Sequence, residues 1–439
     1  MMKKQVALHN LGCKVNAYEL EAMQQLLEED GGYEIVPFAP GADIYIINTC
    51  TVTNIADRKS RQMLHRAKKM NPNALVVATG CYVQAKGTEL EKDPAIDIVI
   101  GNNKKGELIS ILKEYERDTE HYNYIIDINR THDYEELAIS QTAEHTRAYI
   151  KVQDGCNQFC TYCIIPYARG RVRSRRKEEV VAEVMRLAGN GCREVVLTGI
   201  HLSSYGVDLE EKETLLTLIQ AVHAVDGIDR IRLGSLEPGI VTEEFAQAIA
   251  ELPKVCPHFH LSMQSGCDAT LKRMNRRYDT EQFYDRCRIL RKYYEKPAIT
   301  TDIIAGFPGE TQEEFECTRA FVDRVDFYET HVFKYSRREG TKAAVMDGQV
   351  PEQVKAERSH ALIALGEEHK AAYLKYFEGK TLEVLFEEKV VKDGETWWMG
   401  HSREYIRAGV RCDENLENAV LQVRAGGAVD NEWIVCERM

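Results

Sequence analysis

Ala148-Tyr149-Ile150-Lys151-Val152-Gln153-Asp154-Gly155-Cys156-Asn157-Gln158-Phe159-Cys160-Thr161-Tyr162-Cys163 is the stretch on which the reading of this chain turns. Residues 148–152 are rich in β-branched and aromatic side chains and predict a strand. The strand runs directly into a C-x3-C-x2-C loop. Thiolates are soft ligands suited to iron–sulfur clusters, and three on one short loop can cover one face of a cube and leave its fourth iron open. A structural zinc site is the alternative. Zinc in such sites takes four protein ligands, and no fourth Cys or His lies nearby, which makes it the weaker reading.

Outward from this loop the strand–helix alternation continues. Candidate strands at 148–152, 194–197, 230–233, 258–261, 299–304 and 329–333 are separated mostly by helical stretches such as 177–189, 212–225 and 311–325. Six such repeats predict a (β/α)6 partial TIM barrel over residues 142–373, with its chemistry on the loops that follow the strands. A charged helix at 352–377 closes it. Residues 374–439 switch to short strands at 382–386, 396–399, 405–410, 419–425 and 433–436, the pattern of a small all-β barrel. Residues 1–115 alternate strands at 5–10, 43–48, 74–79 and 96–100 with helices at 17–30 and 55–70, which predicts an open parallel α/β sheet. The polar, charge-rich stretch 116–141 reads as a linker, with one short strand near 124–126.

A second set of cysteines emerges from this layout. Cys13, Cys50 and Cys81 share no motif spacing, yet each falls just past one of the first three expected strands. In an open parallel sheet those positions converge on the crevice at the carboxyl edge, where three thiolates could hold a second cluster. The alternative is three unrelated buried cysteines. The fourth strand ends at Gly101 and supplies no fourth Cys. Cys192, Cys256, Cys267, Cys287, Cys317, Cys412 and Cys436 show no ligand-like grouping and read as packing residues.

The chain has 439 residues, 44% hydrophobic and 29% charged, ordinary values for a globular protein of about three domains. No apolar run suits a signal peptide or a membrane span, so a cytoplasmic location is expected. In that setting 13 cysteines, an odd number, favour metal or catalytic use over a disulfide framework. The formal net charge of -12 argues against a nucleic-acid partner at first sight. Two basic runs cut against that average: Arg169, Arg171, Arg173, Arg175, Arg176 and Lys177, then Lys272, Arg273, Arg276 and Arg277. Both flank candidate catalytic loops and are read as phosphate contacts, with a plain solvated face as the alternative. Trp397, Trp398 and Tyr405 are open to two readings, base stacking or barrel core.

The C-x3-C-x2-C loop at the start of a βα barrel resembles the radical S-adenosylmethionine (SAM) superfamily. That resemblance implies a 4Fe–4S cluster on Cys156, Cys160 and Cys163 whose open iron chelates SAM and cleaves it to a 5′-deoxyadenosyl radical. It also implies SAM contacts from loops after successive strands: Thr198 and Gly199, Ser235 and Glu237, Gln264, then Gly306 and Phe307. The Thr198-Gly199 segment differs from the superfamily's usual Gly-Gly-Glu. The N-terminal three-cysteine domain and C-terminal β-domain make the whole chain similar to the methylthiotransferase family, whose C-terminal domain is a substrate-binding TRAM barrel. Membership implies an auxiliary 4Fe–4S cluster on Cys13, Cys50 and Cys81 that carries the sulfur. Leu11-Gly12-Cys13-Lys14-Val15-Asn16, Asn48-Thr49-Cys50-Thr51-Val52-Thr53, Ala56-Asp57-Arg58-Lys59-Ser60-Arg61 and Leu197-Thr198-Gly199-Ile200-His201-Leu202 resemble the branch acting on N6-threonylcarbamoyladenosine beside the tRNA anticodon. The branches acting on N6-isopentenyladenosine and on an aspartate of a small-subunit ribosomal protein remain open. So does a non-catalytic iron–sulfur RNA-binding protein. The family implies tRNA (its anticodon stem-loop), a sulfur source and an electron donor such as a flavodoxin or ferredoxin; a monomer is expected.

Overall fold

The computed structural model describes residues 3–117, 122–142, 146–210, 213–392 and 394–439. Strands β1 (Lys4–Asn10), β2 (Tyr33–Val36), β3 (Ile44–Thr49), β4 (Leu75–Gly80), β5 (Ile98–Ile100) and β6 (Tyr122–Tyr124) form one parallel sheet in the order β2-β1-β3-β4-β5-β6. β3 is buried along its whole length because helices cover both faces, as a parallel sheet requires. The short strands β2 and β6 extend the expected sheet at both edges.

The described residues of the stretch expected to be a linker pack against the rest of the chain. β6 belongs to the first sheet, and Ile128, Leu137 and Ile139 are buried. Apolar residues scattered among the charges anchor the segment. The expected helix start at residue 212 falls outside the described residues, and the helix is Leu215–His223.

The central domain carries β7 (Arg147–Asp154), β8 (Arg173–Ser174), β9 (Glu194–Gly199), β10 (Arg230–Leu233), β11 (His258–His260), β12 (Ala298–Ala305) and β13 (Glu329–Lys334). All but β8 correspond to the six expected barrel strands. They form two sheets, β10-β9-β7-β8 and β11-β12-β13, joined through isolated parallel bridges such as Leu236 to Leu261. The helix Lys14–Asp30 of the first domain packs against this barrel, with Tyr18 and Ala22 entering its core. β14 (Thr381–Lys392), β15 (Glu395–Ser402), β16 (Arg407–Val410), β17 (Val420–Val429) and β18 (Trp433–Arg438) close into the C-terminal barrel. Trp397 and Trp398 are buried in it. Tyr405 stacks between His258 and His401 at the junction with the core domain. These three aromatics therefore pack the protein and offer no platform to a base.

Candidate functional site

Three adjacent strands of the first sheet, β1, β3 and β4, are followed by Cys13, Cys50 and Cys81, the last two immediately and the first after the Leu11-Gly12 turn. Gly12 has a φ of 122°, and a side chain there would stand 3.3 Å from Cys50 Sγ, so the turn holds the first two cysteines close. Asn16 fastens the floor by donating to the carbonyls of Leu11 at 2.8 Å and Thr49 at 2.9 Å. Burial pushes the Cys50 thiol up to about 11, with the Cys81 and Cys13 sulfurs adding to the shift. At the end of β5, where the pattern lacks a fourth cysteine, the Asn102 side chain lies 3.9 Å from Cys81 Sγ.

The second triad hangs from β7. Gly155 has a φ of 71°, and a Cβ there would lie 1.8 Å from the Arg171 carbonyl oxygen, so the turn into the loop admits only glycine. Cys156 N donates to Gly170 O at 3.0 Å and Thr161 N to Met274 O at 3.1 Å, which ties the loop at both ends. Burial pushes Cys156 up to about 11 and Cys163 up to about 12, with the Cys160 sulfur adding to each. Thiols held this high stay protonated until a metal displaces the proton.

Each triad is served by an arginine. Arg276 donates to Cys160 Sγ at 3.2 Å and to Glu237 at 2.8 Å, while Arg169 donates to Cys81 Sγ at 3.0 Å. Buried around Cys81, the cations Arg169, Arg173, Lys105 and Lys151 face the carboxylates Glu19, Asp154 and Glu135. One positive charge is left over, and Arg173 Nε makes no hydrogen bond. Uncompensated buried charge is costly, so this environment fits an anionic iron–sulfur cluster.

A cavity of about 250 Å³ is lined by neighbours of one cysteine from each triad. Val52 and Thr53, just past Cys50, line one side; Tyr162, beside Cys163, lines the other with Gln264, Asp302, Ile304, Phe333 and Tyr335. The loop after β13 bolts the two domains together at this point. Arg338, 5% exposed, donates to Thr51 Oγ1 at 2.8 Å and Asp57 Oδ2 at 2.7 Å, and nearby Ala343 N donates to Thr161 O at 2.8 Å.

The expected SAM-contacting residues divide. Gln264, with a φ of 67°, lines the cavity. Glu237 lies at the mouth, held by Arg276 and 3.5 Å from His201. Ser235 is exposed there, whereas Thr198 is buried. Gly199 accommodates the Gln153 side chain, which a Cβ would meet at 2.8 Å, and Gly306 (φ 73°) similarly accommodates Lys355. Phe307 is fully buried, edge-on to Tyr162 and Tyr335, so it supports the triad loop from below and does not face the cavity.

The basic runs require a larger correction. Arg169, Arg173 and Arg175 are buried: Arg169 and Arg173 pair with Asp154, and Arg175 with Glu183. Arg276 is committed to Cys160 and Glu237, and Arg273 to Glu314. Arg171, Arg176, Lys272 and Arg277 are exposed, as are Arg58, Lys59 and Arg61 on the helix Asn54–Met70 that leaves the Cys50 turn. Of the cysteines read as packing residues, Cys317 is exposed, while Cys256, Cys267, Cys287 and Cys436 are buried.

Residues 150–322 match the radical SAM superfamily, and residues 5–101 match a family described as Uncharacterized protein family UPF0004. The fold is similar to that of TsrM, a radical S-adenosylmethionine methyltransferase from Kitasatospora setae, with a TM-score of 0.58 at 16% identity, covering 78% of this chain and 74% of that one. Fold and cysteine loop together define a radical SAM enzyme. The chain is 41% identical to threonylcarbamoyladenosine tRNA methylthiotransferase MtaB of Bacillus subtilis (strain 168), over 95% of this chain and 93% of the relative. It is 40% identical to the Aquifex aeolicus (strain VF5) protein of the same name, over 87% and 92%. A tRNA-2-methylthio-N(6)-dimethylallyladenosine synthase of Clostridium botulinum (strain Loch Maree / Type A3) is 38% identical, over 89% and 88%. The chain belongs to the radical SAM methylthiotransferase family, whose enzymes use SAM and 4Fe–4S clusters. Among the described residues no helix is long and apolar enough to cross a membrane.

Proposed function

We propose that this protein inserts a methylthio group at carbon 2 of N6-threonylcarbamoyladenosine beside the tRNA anticodon, with Cys156, Cys160 and Cys163 holding the SAM-cleaving cluster and Cys13, Cys50 and Cys81 the auxiliary one. The observation that carries this reading is a cavity lined both by Val52 and Thr53, just past Cys50, and by Tyr162, beside Cys163. When bound, the clusters and SAM supply the one-electron chemistry and the sulfur that no acid or base side chain could provide at an unactivated C–H bond. The chain itself orients and encloses. Gln264 and Tyr162 face the cavity from the barrel, Val52 and Thr53 from the sheet, and Arg276 orders Cys160 and Glu237. Glu237, Ser235, Gln264 and the backbone at Thr198, Gly199 and Gly306 are assigned to SAM.

Arg58, Lys59 and Arg61, with Arg171, Arg176, Lys272 and Arg277, form the surface assigned to tRNA phosphates. The overall charge of -12 leaves such contact to local patches. An electron donor of the flavodoxin or ferredoxin kind and a separate sulfur source complete the reaction, and the enzyme acts as a cytoplasmic monomer. The choice of substrate is supported by the two relatives named for threonylcarbamoyladenosine. Nucleoside mass spectrometry of tRNA from cells lacking the protein tests it. The methylthio form of threonylcarbamoyladenosine should disappear; an unchanged profile, or loss of the methylthio isopentenyl nucleoside instead, would contradict the assignment.

A further inference from the structure

Arg169 closes the helix Ile165–Arg169, just downstream of Cys163, and its side chain is fully buried. Nη1 and Nη2 both donate to Glu19, Nη2 to Oε2 at 3.0 Å, while Nε turns to a different partner. Nη1 donates to Glu19 Oε1 at 2.5 Å and Asp154 Oδ2 at 3.2 Å, Nη2 to Asn16 Oδ1 at 2.7 Å, and Nε to Cys81 Sγ at 3.0 Å. Neither carboxylate depends on it alone: Glu19 also pairs with Lys105 and Lys151, and Asp154 with Lys151. The Nε–H bond to sulfur is therefore a distinct feature of the site. Hydrogen bonds to a ligand sulfur stabilise the more negative, reduced state of an iron–sulfur cluster and set its potential.

We propose that Arg169 is the positioning residue of the auxiliary cluster, fixing the Cys81 thiolate and raising that cluster's reduction potential from the loop that carries the other cysteine triad. This rests on the reading of Cys13, Cys50 and Cys81 as cluster ligands. The geometry gives it a reach that Arg276 lacks. Arg276 serves Cys160 from within the barrel and is held by Glu237 and Ser262 of the same domain. Arg169 crosses from the barrel loop to the first sheet, and its neighbour Gly170 accepts from Cys156 N at 3.0 Å. Backbone contact with one triad and side-chain contact with the other thus lie on consecutive residues.

The test uses full-length protein carrying Cys156→Ala, Cys160→Ala and Cys163→Ala, so that only the auxiliary cluster is loaded on anaerobic reconstitution. Arg169 is compared with Arg169→Lys and Arg169→Met by iron content and by potentiometric titration followed by electron paramagnetic resonance. With iron equal to the parent, the Met variant should titrate at a more negative potential and the Lys variant between the two. Loss of iron from the Met variant with retention in the Lys variant also supports the proposal, since it reports the positioning of Cys81. Full iron at an unmoved potential in both variants, or loss of iron from both, overturns it. A parent that takes up no iron at all overturns the cluster assignment, and the proposal with it.

Discussion

Glu19 carries an anion through the most buried part of the molecule. Burial alone would raise its carboxyl, but Arg169, Lys105 and Lys151 overcome that and hold it well below its ordinary value of 4.5. A carboxylate depressed in the folded state contributes stability that is complete above its unfolded value and is lost as pH falls through the folded value. Glu19→Gln strands buried cations and should cost about 3–5 kcal/mol near neutral pH. The stability gap between wild type and Glu19→Gln should stay constant above about pH 5 and narrow at lower pH. Denaturant titrations of the metal-free proteins across that range measure it, and a gap independent of pH would contradict the account. Glu19 also shows why the burial of Arg169 is not legible in its own basic run. The carboxylate that draws Arg169 inside lies 150 positions away in sequence, and local charge density carries no record of a partner so distant. Gly155 is the opposite case, a turn glycine whose need is evident once the strand and the cysteine loop are placed around it.

At the scale of elements, the carboxyl ends of strands position the chemistry. β1, β3, β4 and β7 were legible because each is an apolar run followed at once by Gly or Asn and Cys. β2 is not legible because a strand of four residues carries too little periodicity, and β6, expected near 124–126, lies two residues earlier at Tyr122–Tyr124. The loop after β13 was also illegible as a clamp: nothing in Tyr335-Ser336-Arg337-Arg338 points to the Cys50 turn. Yet Arg338 is buried against Thr51, Asn54 and Asp57. Arg338→Leu should leave both clusters loaded and SAM cleavage intact while separating the two sides of the cavity. Because small misplacements of reacting groups are costly, methylthiolated product per 5′-deoxyadenosine released should fall roughly tenfold or more. An unchanged ratio would show that the clamp does not register the two sites.

For the molecule as a whole, the N-terminal sheet and the barrel are joined by a buried charge network, by helix Lys14–Asp30 and by the Arg338 clamp, and all three joints lie beside the cysteine triads. The C-terminal barrel joins separately, through Arg230 and Arg232 reaching its backbone carbonyls. In the proposed function the N-terminal sheet and the barrel each hold one iron–sulfur cluster, with residues beside Cys50 and Cys163 lining a common cavity. Iron determination with Mössbauer spectroscopy on anaerobically reconstituted protein examines that claim directly, comparing wild type with the variant replacing Cys13, Cys50 and Cys81 by Ala and the variant replacing Cys156, Cys160 and Cys163 by Ala. The account predicts two 4Fe–4S clusters in wild type and one in each variant. Wild-type protein holding a single cluster, or undiminished iron in the variant lacking Cys13, Cys50 and Cys81, would contradict it.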